Sequence, residues 1–150
     1  MSVSATTRAP RAGEVEGRNY FFVSGDEFDA MVRQGQFLEW AHFAGNRYGT
    51  PRGPVAAKLD AGVPVLLEVD VQGAMQVREA MSGAVLVFLA PPDVAALEAR
   101  LAGRGTENPE ELAARLAAAS GELAAMDRFD HVIVNDDVER AAAELVGFLG

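Results

Sequence analysis

The sequence predicts an α/β fold: a parallel sheet covered by helices, with a small α+β lobe inserted into the first half of the chain. Three observations carry this expectation. Short runs apolar on both faces, 63–69 (VPVLLEV), 84–90 (AVLVFLA) and 131–134 (HVIV), have the pattern of strands buried in a parallel sheet. Longer stretches of helical periodicity separate them, so strand and helix alternate as crossover units do. The first half differs in kind, with a helix start signal followed by an aromatic alternating segment.

Taken in order, residues 2–7 alternate apolar and polar and can add an N-terminal strand. Ser24 with Glu27 three places on forms a capping box, and Phe28, Met31 and Val32 then share one helical face until Gly35 stops it. Residues 37–43 (FLEWAHF) read as a strand ending on the turn residues Ala44, Gly45 and Asn46. These make the small lobe, about residues 9–60. Helices are expected at about 72–81, 92–101, 109–126 and 136–149, around the three buried strands. No repeat, low-complexity tract or long linker interrupts the chain, so its 150 residues are expected to form one domain.

Composition narrows the function. With 49% hydrophobic and 23% charged residues the chain is neither disordered nor collagenous, and the absence of cysteine removes disulfides, thiolate metal sites and cysteine nucleophiles. The longest apolar run, 84–92, falls far short of the ~20 residues a membrane-spanning helix needs. The sequence does not open on a basic-then-apolar signal pattern either, so a cytoplasmic location is expected. A net charge of -9 argues against affinity for nucleic-acid backbone, so any anionic ligand must be bound by a local basic cluster. Twelve of the 13 basic residues are arginine; Lys58 is the sole lysine.

Five constellations can carry chemistry. Arg8 and Arg11 flank Pro10, with Gly13, Glu14 and Tyr20 downstream; two forked donors so spaced suit a phosphate, though they equally suit two solvated loop arginines. Glu39, between Leu38 and Trp40 and upstream of Tyr48, Gly49 and Thr50, can offer a partly desolvated carboxylate to paired N–H donors such as the N1 and N2 edge of guanine. The plain alternative is an exposed strand glutamate, with His42 as packing or surface. Asp70 ends a buried run and precedes Gln72 and Gly73, which places it either at a ligand site or at a helix N-cap. Arg104, in a glycine-flanked loop between helices that carry Arg100 and Arg115, fits a phosphate lid or a surface loop. Asn135 to Asp137 offer an amide that can read a base or a carboxylate that can cap the last helix.

Singly, none of these is specific. In this order and over essentially the whole chain, SVSATTRAPRAGE, YFFVS, QFLEWA, GNRYGTPR, LLEVDVQGA, FLAPP, RLAGRGT and VIVNDD resemble the guanylate kinase family. The resemblance implies a P-loop kinase core with a GMP-binding lobe (about 9–60) and a helical lid (about 100–115). It implies transfer of a phosphoryl group from ATP to GMP, giving ADP and GDP, with Mg2+ as partner ion. Ser4, Glu39, Thr50 and Asp70 match residues that recognise guanine, and Arg8, Arg11, Tyr20 and Tyr48 match those that hold the GMP phosphate. Arg100, Arg104 and Arg115 match arginines that close on the reacting phosphates, and Arg104 and Asn135 match residues on the ATP side.

The donor half departs from the family. Guanylate kinases begin with a strand and a phosphate-binding loop, G-x-x-x-x-G-K-[ST]. Here Met1 stands directly before SVSATTR, and Lys58 sits in VAAKLD, a different context. The expectation is therefore a chain lacking the first strand and P-loop, shortened at its N-terminus, inactive alone, and prone to self-association through the vacated sheet position. The alternative is a non-catalytic guanylate-kinase-like module that binds a phosphopeptide or GMP. Glu39, Asp70 and the lid arginines speak against it, since a peptide binder has no use for them.

Overall fold

The computed structural model describes residues 1–102 and 109–149. The chain folds as two compact units, Met1–Ala84 and Val85–Gly150. Among the described residues no helix is long and apolar enough to cross a membrane.

The first unit is built on a four-stranded mixed sheet of β1 (Ser4–Thr6), β2 (Tyr20–Phe22), β3 (Phe37–Phe43) and β4 (Asn46–Pro51), ordered β2-β1-β4-β3. β1 and β2 run parallel, whereas β4 is antiparallel to both β1 and β3. The β3–β4 hairpin turns on Ala44 and Gly45, both at positive φ (48° and 77°), the mark of the turns whose twist suits a hairpin. Helix α1 (Gly25–Arg33) starts as its sequence requires: the Glu27 N–H donates to Ser24 Oγ at 3.2 Å and the Ser24 N–H to Glu27 Oε2 at 2.7 Å. Its Phe28 is wholly buried against Ala5 and Phe37, with Phe21, Val23 and Trp40 around them.

Helices α2 (Arg52–Asp60) and α3 (Val71–Ala80) complete this unit. They meet β3 through a second core cluster of Leu38, Val55 and Val77. Gln76 on α3 also closes the exposed edge of β3. Its Oε1 accepts from the Trp40 N–H at 3.0 Å and its Nε2 donates to the Trp40 carbonyl at 3.1 Å, as a neighbouring peptide group would.

The second unit holds two parallel strands, β5 (Val87–Ala90) and β6 (His131–Val134), paired from Val87↔His131 to Ala90↔Val134. Helices α4 (Val94–Ala102), α5 (Pro109–Ala124) and α6 (Val138–Gly147) and a short 3-10 turn, Met126–Arg128, lie in the same unit. Asp137 caps α6, accepting from the Arg140 N–H at 2.8 Å.

One expectation needs correction. Residues 63–69 form no strand; the segment's one main-chain bond to a neighbouring extended segment, among the described residues, is from the Ser2 N–H to the Leu66 carbonyl at 3.0 Å. Apolar content packs it, since Val65 and Leu67 lie against the second core cluster, but a strand also needs a partner to ladder with. The sheet of the first unit is mixed, because β4 enters it as a hairpin partner. The sequence reading did not anticipate β2, β4 or α2. β2 is three residues long, NRYGTP in β4 lacks apolar alternation, and RGPVAAKLD opens α2 with glycine and proline.

Candidate functional site

Alternation along the strands sorts the first unit's sheet into two faces. Residues directly opposite in register share a face: Ser4 with Tyr20, Thr6 with Phe22 and Tyr48, Tyr48 with Ala41, and Thr50 with Glu39. The other face carries Ala5, Phe21, Gly49 and Trp40 and lies against α1. The ladder slips between Phe37 and Glu39. That irregularity lets Phe37 and Trp40, three apart, sit on the same core face while Glu39 turns to Thr50.

Glu39 is 9% exposed and Thr50 1%. The Thr50 hydroxyl donates to Glu39 Oε1 at 2.7 Å. Burial pushes the Glu39 carboxyl above the usual carboxylate range; the Thr50 hydrogen bond opposes the shift and the neighbouring Asp70 charge adds to it. Of the two readings of Asp70, the structure shows the helix cap. It caps α3, accepting from the Gly73 N–H at 2.6 Å, and it stands beside Glu39. Gly73 separates the two carboxylates: a Cβ there would lie 3.0 Å from Glu39 Oε2 and 3.1 Å from Asp70 Oδ1. The result is a set of acceptors on rigid elements, suited to a ligand edge that presents adjacent N–H donors.

At the other end of the same face lies a cation. Arg8 Nη1 and Nη2 donate to Glu14 Oε2 and Oε1 at 3.1 and 2.8 Å, and Arg8 packs over the Tyr20 ring at 5.3 Å from its centroid. Tyr20 and Tyr48 meet edge to face with centroids 6.1 Å apart. The Glu14 carboxylate holds the Arg8 guanidinium above the ordinary arginine range, and the Arg8 bond in turn lowers Glu14. Arg11 is exposed, and its main-chain N–H donates to Glu14 Oε2 at 2.7 Å. Ser4 is partly buried on β1, opposite Tyr20.

The structure thus brings together Ser4, Tyr20, Glu39, Tyr48 and Thr50 on one sheet face, with Arg8 over Tyr20 and Asp70 beside Glu39. Glu39 is not the exposed strand glutamate of the plain alternative; His42 is exposed and edge-on to Trp40, as expected. Asn135 follows β6 in the second unit, where its N–H donates to the Ala90 carbonyl at 2.7 Å. Arg104 lies outside the described residues, as do the side chains of Arg100 and Arg115. Sequence reasoning gave no role to Gln76 or Gly73 and none to Glu14 beyond its place in the motif. Its only signal for Glu14 was an acid three residues after one arginine and six after another. A separate hollow of about 170 Å³, lined by Val3, Phe21, Pro54 and Val55 among others, shares no residue with this site.

An α/β fold with an arginine over one part of a sheet face and a buried carboxylate on another has the elements of a nucleotide-binding protein. The guanylate kinase family model matches residues 1–150. A guanylate kinase of Streptomyces coelicolor is 60% identical over 146 residues, which cover 97% of this chain and 74% of that protein. One of Parasynechococcus marenigrum is 55% identical over 150 residues, covering 100% of this chain and 82% of that protein. The crystal structure of guanylate kinase from Anaplasma phagocytophilum superposes with a TM-score of 0.78 at 38% identity, over 99% of this chain and 72% of that one. The chain belongs to the guanylate kinase family, and so to the nucleotide-binding kinases.

Proposed function

We propose that the protein transfers the γ-phosphoryl group of ATP to GMP, giving ADP and GDP, and that the first unit is its GMP pocket. The observation that carries this reading is the buried Glu39 carboxylate, fixed by Thr50 and paired with Asp70, on the same sheet face as Tyr48 and Tyr20. Glu39 and Asp70 accept from the N1 and N2 edge of guanine, with Ser4 and Thr50 completing the base contacts. Arg8, Arg11, Tyr20 and Tyr48 hold the phosphate. The acceptor is then an anionic phosphate oxygen, which needs no general base; positioning and charge neutralisation do most of the work in phosphoryl transfer.

Arg100, Arg104 and Arg115 are assigned to the transferring phosphoryl group, and Arg104 and Asn135 to ATP, by resemblance alone. The 150 residues contain no G-x-x-x-x-G-K-[ST] sequence. Among the described residues no three of His, Asp and Glu converge as a cation site; the Mg2+ that the resemblance implies would take most of its ligands from nucleotide phosphates and water.

Isothermal titration of the chain with GMP, AMP and a phosphoserine peptide tests the reading. Saturable binding of GMP with silent AMP and peptide titrations is expected; peptide binding without GMP binding would replace it with the binding-module alternative. With no G-x-x-x-x-G-K-[ST] sequence among its residues, the 150-residue chain taken alone should form GDP far below the ~1–100 per second usual for kinases.

A further inference from the structure

We propose that Glu14 is a positioning residue for the phosphate end of the pocket, fixing the Arg8 guanidinium and the loop around Arg11 before a nucleotide phosphate arrives. The inference rests on the GMP reading above and adds a residue that touches no nucleotide itself.

One carboxylate binds the Arg8 guanidinium and the main chain of Arg11. Glu14 Oε1 and Oε2 accept from Arg8 Nη2 and Nη1 at 2.8 and 3.1 Å, and Oε2 also accepts from the Arg11 main-chain N–H at 2.7 Å. The Glu14 N–H returns a bond to the Arg11 carbonyl at 3.1 Å, and Arg8 Nη1 donates to the Ala9 carbonyl at 2.9 Å. Both partners of the Arg8–Glu14 pair are largely shielded from solvent, and the guanidinium plane rests against Tyr20. An arginine side chain carries five N–H donors; the Glu14 and Ala9 bonds engage three, leaving two for a phosphate.

Two effects of Glu14 on an incoming phosphate oppose each other. Its charge repels the anion, while its bonds hold Arg8 in the one orientation that leaves a donor edge open. The hold acts through charge-assisted contacts at hydrogen-bond distance, whereas the repulsion acts across the guanidinium and is screened by solvent and salt, so positioning should win.

Titration calorimetry of the chain and of its Glu14→Gln and Glu14→Asp variants, with GMP and with guanosine, decides the matter. Glu14→Gln should weaken GMP about tenfold and leave guanosine unchanged, with Glu14→Asp in between. GMP binding as tight as wild type, or tighter, in Glu14→Gln would overturn the proposal, since Glu14 would then be a bystander or a charge brake. Equal loss of both ligands together with a lower Tm would mark a structural role and overturn it too. A wild-type chain that binds guanosine and GMP alike, or neither, would instead strike the GMP reading itself.

Discussion

The two faces of the four-stranded sheet are made by alternate residues of the same strands, yet they obey opposite rules. Toward α1 the strands present Ala5, Phe21, Gly49 and Trp40, which close on Phe28 with little room to spare. On the other face they present Ser4, Tyr20, Glu39, Tyr48 and Thr50, and the buried groups among them are a carboxylate and a hydroxyl. One face gains free energy by leaving water. The other spends part of that gain on a desolvated carboxylate. Substitutions on the apolar face should therefore change stability, and those on the polar face should change ligand binding with stability moving little or even upward.

The largest effect should come from the centre of the apolar face. Phe28 is wholly buried, with ring centroids 4.5 Å from Phe37 and 6.1 Å from Trp40, and Arg47 lies over its ring at 5.0 Å. Phe28→Ala should cost about 3–5 kcal/mol, measured by urea denaturation. Next is Gly49, which sits under the same rings: a Cβ there would come 2.8 Å from the Phe37 ring and 2.9 Å from Trp40 Cβ. Gly49→Ala should cost about 1–3 kcal/mol through overpacking, and a neutral melt would mean that the Phe37 ring moves aside freely.

Legibility in the sequence followed the same division. The capping box of Ser24 and Glu27, the apolar stripe through Phe28 and the strand at Phe37–Phe43 were readable, because local hydrogen bonding and periodicity determine them. β6 was readable to the residue, while 63–69 was mistaken for a strand: apolar content specifies burial, and strand identity depends on a partner that lies elsewhere in the chain. For the site, motif order pointed to Glu39, Thr50, Arg8 and Tyr48, but not to the bulge that turns Glu39 toward Thr50. Nor could spacing reveal that Gly73 keeps two carboxylates at close range, or that Gln76 stands in for a missing strand at Trp40. These depend on contacts between segments 34–36 residues apart.

The smallest effect on stability, and the one that separates the two faces most sharply, belongs to Glu39. Its carboxyl titrates above the ordinary 4.5 because burial disfavours the charge, so in a window above 4.5 the folded chain keeps a proton that the unfolded chain has released. The stability tied to this proton is present in acid, falls as pH rises through the raised value, and is gone above it. Glu39→Gln carries no charge to desolvate; its amide oxygen can still accept from Thr50 and its nitrogen can donate toward Asp70. Relative to wild type, the variant should therefore melt much the same in acid and at higher temperature near neutrality, while GMP binding falls. Thermal melts from about pH 4 to pH 8, paired with GMP titrations, measure both sides of the trade. A difference in Tm that stays constant with pH would mean that Glu39 titrates normally and that the polar face carries no desolvation penalty. Lower stability at neutral pH would show the ionised carboxylate to be a net contributor to the fold, and the contrast between the two faces would fail at its central residue.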